Sequence, residues 1–468
     1  MSIMLCRIRS MLTFVLAISY LMNVFIASAV LHNFSIFIMI IVIMLSLPAV
    51  TGSSRIIGYA SLALSIFLLL IYQAPLNIWK QAIEENIYLV VMFTLVPLLG
   101  IPIEHGGYSQ ALQGTFQRYV NTNNRFYLFV SFISAFMGVL VSLAVVPLVY
   151  QITKASAKSK NTRLLATAIS RGFTTCTIWA PTTAAIALIV QLTGVKWTGF
   201  FPVALLCGII CGFVGYILYR LEDKSRLEDK RLADKRTDMV AISEKAFPDE
   251  FKGVKVAELC GFGIVLLISI TAISILADLM TIIVVSLAAL IFPVIWMGLL
   301  KRLSIYLQVV KEHYFKVSLP KLKNELVLFV AAGFLATGIS YSHLGDYIPL
   351  LLNYIVGNSA FLFSVLVIFA STILSMLGVH PIITVIIIGN TVNPSFYNIS
   401  SNYLALILAI SWAMSVTVSP TAATLIAISG ITGESTITIG SRWNLVYVIT
   451  ASAVMVLVIT LLKAFGLL

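Results

Sequence analysis

The sequence predicts an all-α, polytopic membrane protein of about 11 transmembrane helices plus two re-entrant hairpins, arranged as two inverted repeats. Three observations predict it. Of the 468 residues, 60% are apolar and only 10% are charged, a balance that ordinary soluble domains do not have. Apolar runs near the ~20 residues needed to cross a bilayer core recur along the chain. One stretch also occurs twice: Ala180-Pro181-Thr182-Thr183-Ala184, running on to Thr193-Gly194, returns as Ser419-Pro420-Thr421-Ala422-Ala423, running on to Thr432-Gly433. At a constant offset of 239, six of the sixteen positions from Ala180 to Val195 are identical. Proline removes a backbone donor and clashes with the preceding turn, so each copy predicts an interrupted helix. Interruptions at membrane depth are tolerated where protein or a water-filled site satisfies the freed backbone groups, and paired ones frame the binding sites of many secondary transporters.

The elements follow from hydropathy and charge. Arg7 and Arg9 put the N-terminus in the cytoplasm, and a first helix (about 11–31, within an N-terminal segment 1–34) runs outward. Ala27-Ser28-Ala29 mimics a signal-peptide cleavage site, but the preceding apolar stretch is long for one, and an uncleaved helix is expected. A first repeat, 35–219, then carries helices at about 35–51, 56–73 and 87–103, with Lys80 in an outer loop. The apolar segment 126–152 has basic residues on both sides (Arg125, then Lys154, Lys158, Lys160 and Arg163), so a single crossing would strand one cluster outside. A hairpin bending near Gly138 and Pro147 satisfies both ends. The first interrupted helix (164–194) and a helix at about 198–219 complete the repeat.

Residues 220–255 form a charged cytoplasmic linker in which Arg220-Leu-Glu-Asp-Lys224, Arg226-Leu-Glu-Asp-Lys230 and Arg231-Leu-Ala-Asp-Lys235 form a short reiterated charged helix. The second repeat, 256–468, repeats the plan upside down: helices at about 256–277 and 279–299, an amphipathic inner stretch (302–324), a helix (325–341), a hairpin (359–388), the second interrupted helix (403–428) and a last helix (443–463) ending outside. Only Lys80, Lys196 and Lys463 of the 30 basic residues then fall in outer segments, with Arg171 inside the membrane. That distribution accounts for the net charge of +12 without a nucleic-acid partner. Further matches support the repeat: Asn86, Gly100, Ile101, His105 and Gly107 with Asn324, Gly338, Ile339, His343 and Gly345, and Leu128, Phe129, Leu143, Val145 and Pro147 with Leu362, Phe363, Leu377, Val379 and Pro381.

Chemistry concentrates at the breaks. Thr174, Thr175, Thr177, Thr182 and Thr183 flank the first; Ser411, Ser415, Thr417, Ser419, Thr421 and Thr424 flank the second. Hydroxyls and unwound carbonyls are hard oxygen ligands suited to Na⁺, and half-helix N-termini direct partial positive charge at an anion. The bland alternative is that these hydroxyls bond back to their own helices. Arg171, about 12 Å along its helix, is expensive in lipid and is a candidate counter-ion for an anionic substrate. His380 is the one histidine placed deep in an apolar segment, either packed or carrying a proton. No carboxylate falls mid-helix in this trace, which favours cation coupling through neutral oxygens. Cys207 and Cys211, at i and i+4, are expected to pack rather than bind metal. No phosphate-cradling loop, zincin helix or nucleophile elbow is present in a suitable context, so neither an ATP-driven pump nor an enzyme is expected.

On these residues the chain resembles the ion transporter superfamily, and within it the divalent anion/sodium symporters. Gly172 through Thr183, followed by Gly194-Val195-Lys196-Trp197 and Gly199-Phe200-Phe201, looks like the first copy of that family's broken-helix pattern, and Ser411 through Ala423 like the second. The resemblance covers roughly 85–465 and implies an elevator-type carrier, a homodimer in the cell membrane, holding its substrate between two hairpin tips and two breaks. Taking the residues at the breaks together with the hairpin tips that the resemblance points to, the candidate substrate contacts are Arg171, Thr174, Thr175, Thr182, Thr183, Ser371, Thr372, His380, Ser419 and Thr421, and the candidate cation contacts Gly138, Thr177, Pro181, Ser415, Thr417 and Pro420. The symporters' Ser-Asn-Thr at each tip corresponds here to Met137-Gly138-Val139 and Ser371-Thr372-Ile373, without asparagine, which suits a less polar or monovalent substrate. The expected function is secondary transport of a small organic anion such as a carboxylate, coupled to Na⁺ (or H⁺), with no bound cofactor and with membrane lipids as surroundings. An exporter or antiporter of an inorganic anion or metabolite, or a membrane enzyme or scaffold for lipid-linked substrates, are the alternatives.

Overall fold

The computed structural model describes residues 3–154, 156–233 and 253–468. Among the described residues every regular element is helical, and 11 helices are long and apolar enough to cross a membrane. The chain is a multi-pass membrane protein. In order the α-helices are α1 (Ile3–Ile26), α2 (Ala29–Ser46), α3 (Ser53–Ile71), α4 (Leu76–Glu84), α5 (Ile87–Leu95), α6 (Gly100–His105), α7 (Tyr108–Tyr119), α8 (Asn123–Val141), α9 (Val145–Thr153), α10 (Thr162–Thr177), α11 (Ala184–Thr193) and α12 (Trp197–Ala233). There follow α13 (Gly253–Leu276), α14 (Thr281–Leu299), α15 (Leu303–Val309), α16 (Leu319–Lys321), α17 (Lys323–Tyr341), α18 (Tyr347–Val356), α19 (Ala360–Met376), α20 (Pro381–Thr391), α21 (Ser401–Val418), α22 (Ala423–Thr432) and α23 (Leu445–Ala464).

These helices sort into two bundles by what they pack against. Helices α1–α5, α13, α14 and α17 form one, with α17 lying along α3 and α14 along α5. Small residues let α17 come close: a Cβ at Gly338 would sit 3.3 Å from the Ser65 backbone. Asn86, between α4 and α5, donates through Nδ2 to the Phe329 carbonyl at 2.9 Å, tying that break to α17. Helices α8–α12 and α19–α23 form the second bundle. Inside it, each hairpin's first arm packs on the first half of its own repeat's interrupted helix, α8 on α10 and α19 on α21. Beyond each break the pairing crosses over: α11 packs on α20, and α22 on α9.

Local chemistry sets the ends of these elements. Asn161, Ser359 and Ser400 each accept a backbone N–H at a helix start. Gly194 (φ +66°) and Gly433 (φ +74°) end α11 and α22 in the left-handed conformation, at the offset of 239 seen in sequence.

Several expectations are refined or displaced. Helix α8, the first arm of the hairpin read at 126–152, is by itself long and apolar enough to span, and the interrupted helix read at 164–194 is made of α10 and α11, of 16 and 10 residues. Lys80 sits on α4, part of a span running from Leu76 to His105, and is not in a loop. Glu85, at the end of α4, packs beside Gly333 halfway along α17, so a carboxylate does fall within a span. Helix α12 joins the span read to about 219 and the charged helix after it into one unbroken helix to Ala233, because alternating Glu/Asp and Lys/Arg at helical spacing keep forming helix outside lipid. The remainder of the charged linker, 234–252, lies outside the described residues.

Candidate functional site

The two interrupted helices meet. Thr174 on α10 and Thr417 on α21 bring their hydroxyl oxygens to 2.5 Å across the repeat boundary. Downstream of them, α10 gives way at Ile178–Thr183 and α21 at Ser419–Ala422, and the half-helices α11 and α22 begin beyond. Each break is tied to a hairpin. Thr182 Oγ1 donates to the Val139 carbonyl at the end of α8 (2.5 Å). A Cβ at Gly378, in the turn of the second hairpin, would lie 3.9 Å from Thr421 Cγ2. Thr183 caps α11, accepting from the Ile186 N–H at 3.5 Å, and Ser419 and Thr421 hydrogen-bond to each other at 2.9 Å.

Most of the remaining hydroxyls bond within their own helices. Thr175 donates to the Gly172 carbonyl and Thr177 to that of Thr174, at 2.7 and 2.8 Å, and Thr372 donates to the Ile368 carbonyl at 2.7 Å. Ser411 and Ser415 differ. They occupy one face of α21 at i and i+4, are 1% and 0% exposed, and their hydroxyls have no hydrogen-bond partner. An unpartnered buried hydroxyl costs about 1–3 kcal/mol, and the two stand out among the hydroxyls near the second break as lacking a protein partner. Pro181 lines a cavity of about 520 Å³ that reaches past Val190 and Gln191 to Lys196 and Asp278. There Lys196 Nζ and Asp278 Oδ1 pair at 2.9 Å, joining the α11–α12 loop of one bundle to the α13–α14 loop of the other.

The hairpin tips lie elsewhere than the symporter pattern implies. Met137-Gly138-Val139 is the last helical stretch of α8, and the turn is Ser142–Ala144. Gly138 serves packing: a Cβ there would stand 2.5 Å from Cys176 Sγ. Ser371-Thr372-Ile373 lies within α19, and the second turn is formed by Leu377–His380 with Gly378 at φ +98°. His380 Nδ1 accepts from the Ile382 N–H at 3.2 Å as the cap of α20, while its ring meets Trp412 edge-on at 6.1 Å.

Arg171 does not face the breaks. Its Nε donates to Asn444 Oδ1 (3.0 Å), one terminal nitrogen to the Gly215 carbonyl (3.4 Å) and the other to Glu222 Oε1 (3.2 Å) and the Trp443 carbonyl (3.0 Å). The guanidinium carbon also lies 5.2 Å from the Tyr447 ring centre. These partners use its donors, so the residue ties α10 to α12 and α23 rather than waiting for an anion. Asn444, donating in turn to Ser170 Oγ and the Ile439 carbonyl, and Glu222, bridging to Arg163 at 2.7 Å, were not singled out by sequence. An asparagine opening an apolar helix and a carboxylate one turn past a predicted span were the available signals.

No protein-family model and no curated protein matches the chain. Among solved structures it is similar to the YdaH transporter of Alcanivorax borkumensis, whose crystal structure aligns over 80% of this chain and 85% of that one at 17% identity, with a TM-score of 0.47.

Proposed function

We propose that the chain is a secondary active transporter of the ion transporter superfamily kind, moving a small organic anion such as a carboxylate across the cell membrane together with Na⁺. In this reading the hairpin-bearing bundle shifts against the other, the two repeats are inverted, the N-terminus is cytoplasmic and the C-terminus outside, and the protein works as a homodimer. One observation supports it above the rest: two interrupted helices from separate repeats meet at Thr174 and Thr417, beside buried hydroxyls on Ser411 and Ser415 that no protein group satisfies. Hydroxyls and freed carbonyls there suit a hard monovalent cation, and the N-termini of α11 and α22 suit an anion. Na⁺ is favoured over H⁺ because the half-buried histidine at the second hairpin turn, His380, already uses Nδ1 to cap α20.

The test is uptake of labelled mono- and dicarboxylates into proteoliposomes, with an inward Na⁺ gradient against an equal K⁺ gradient. Uptake of at least one carboxylate that collapses without Na⁺ is expected. Equal uptake in both, or none for any carboxylate, overturns the coupled-import reading.

A further inference from the structure

A second cavity, of about 550 Å³, lies on the seam between the two bundles, behind the first break and apart from the meeting of Thr174 with Thr417. Its walls are α8, α10 and α12 on one side and Gly263 and Leu267 of α13 on the other. Its lining is mostly apolar, with Ser131, Arg171 and Thr175 the polar members on α8 and α10. Its mouth is rimmed by Leu128, Phe132, Ile209 and Phe213, which are 45%, 63%, 59% and 65% exposed on helices that span the membrane. In its floor, Gly208 lets Trp179 lie close, since a Cβ at Gly208 would stand 2.8 Å from the indole Cδ1. A groove of this composition, opening sideways within the apolar belt, takes hydrocarbon.

Charge marks one end of it. Tyr216 is the last residue of α12 to line the groove, and Arg220 lies four residues further on the same face. Tyr127 and Leu128 are the first such residues of α8, and Arg125 lies three residues before Leu128 on its face. Both arginines are exposed. Arg125 donates only to neutral oxygens, the Tyr119 carbonyl and Asn121 Oδ1, so its charge is not offset there. Exposed Lys224 follows Arg220 by one turn. Against them stands Asp223, half-buried; Glu222 is turned to Arg163 and Arg171, and Lys255 on α13 pairs with Glu258. Basic side chains one turn beyond an apolar slot match a phosphate above an acyl chain, and long basic side chains reach a headgroup from just such positions.

We propose that this groove is a binding site for an anionic phospholipid, one acyl chain lying between α12 and α13 and the headgroup meeting Arg125 and Arg220. A lipid seated there occupies the surface along which the bundles adjoin and touches Thr175 and Trp179 at the first break. The site stands whether or not the chain carries an organic anion.

The experiment is native mass spectrometry of the full chain titrated with phosphatidylglycerol or phosphatidylcholine of identical chains, paired with quenching by acyl-brominated lipid. Wild type is expected to prefer phosphatidylglycerol, and Arg125→Gln with Arg220→Gln to lose about fivefold of that preference per charge while still binding. Lys311→Gln with Lys321→Gln, distant basic residues, should leave it unchanged. Ala135→Trp, which fills the slot, should weaken both lipids. Brominated chains should quench wild type more than Trp179→Phe. Equal binding of the two lipids by wild type, an unchanged preference in the double arginine variant, or quenching independent of Trp179 overturns the site.

Discussion

Ser411 and Ser415 set the sharpest expectation at the scale of single residues. Removing an unpartnered buried hydroxyl forfeits no hydrogen bond and relieves its desolvation, so Ser411→Ala with Ser415→Ala should hold or raise thermal stability without ligand. If these oxygens take the coupling ion, wild type should gain about 2.7 kcal/mol at Na⁺ a hundredfold above Kd, and the double variant nothing; thermal shifts in Na⁺ against K⁺ measure both. Arg171 predicts the opposite pattern. It is 2% exposed, and Glu222→Gln leaves its charge without a counter-ion. Because Glu222 is itself 26% exposed, the cost should be about 2–3 kcal/mol, less than for a fully buried pair, read as a lower unfolding temperature with substrate affinity unchanged. Sequence made the hydroxyl clusters visible through their repetition. It could not show that Arg171 is satisfied, since Asn444, Trp443 and Tyr447, which surround it, are more than 270 residues away along the chain.

Among elements, the prolines were legible because they act locally: Pro181 and Pro420 interrupt their helices wherever the rest of the chain goes. The hairpin turns were less so. Ser142-Leu143-Ala144 carries neither glycine nor proline, and nothing in its residues separates it from the apolar helix before it; Gly378 was the available sign for the second turn. Helices α7 and α18 went unassigned because each lies in a mixed stretch too short or too polar to read as a span. Elements approach closely between α8 and α10, where a Cβ on Gly172 would fall 2.4 Å from the Ser131 carbonyl oxygen. Rigid backbone cannot yield as a flexible side chain can, so Gly172→Ala should cost about 1–3 kcal/mol and move the first hairpin off its broken helix. Comparing its denaturation with that of Gly199→Ala, where a Cβ meets nothing within 4 Å, isolates the packing effect.

For the whole molecule, the Lys196–Asp278 pair spans the two bundles at the end of the cavity that leads to Pro181. Both side chains are over 80% exposed, so the pair adds little to stability. Lys196 holds the Asp278 carboxyl below its ordinary value, so the tie is intact above that value and loosens only as pH falls through the lowered one, well below neutrality. Neutral-pH function should therefore not depend on its titration. If the bundles move relative to each other during transport, joining Lys196→Cys to Asp278→Cys by a disulfide should stop flux and reduction should restore it. Unimpeded flux in the oxidised form would contradict relative movement at this edge.

The linkers to the two hairpins are built unequally. Tyr108 at the start of α7 is fully buried; its hydroxyl donates to Glu258 at 2.6 Å and accepts from the Trp296 indole at 2.9 Å, fixing that helix to α13 and α14. Its counterpart α18 turns Tyr347, Leu350, Leu351 and Tyr354 outward, each at least 60% exposed, and buries only Leu352 and Val356. Swinging α18 rearranges lipid contacts, whereas swinging α7 must break directed bonds to a carboxylate and an indole. Two arms in corresponding places before the two hairpins are thus held unequally, and if the hairpin bundle moves, the second arm is the one that yields with fewer directed bonds to break.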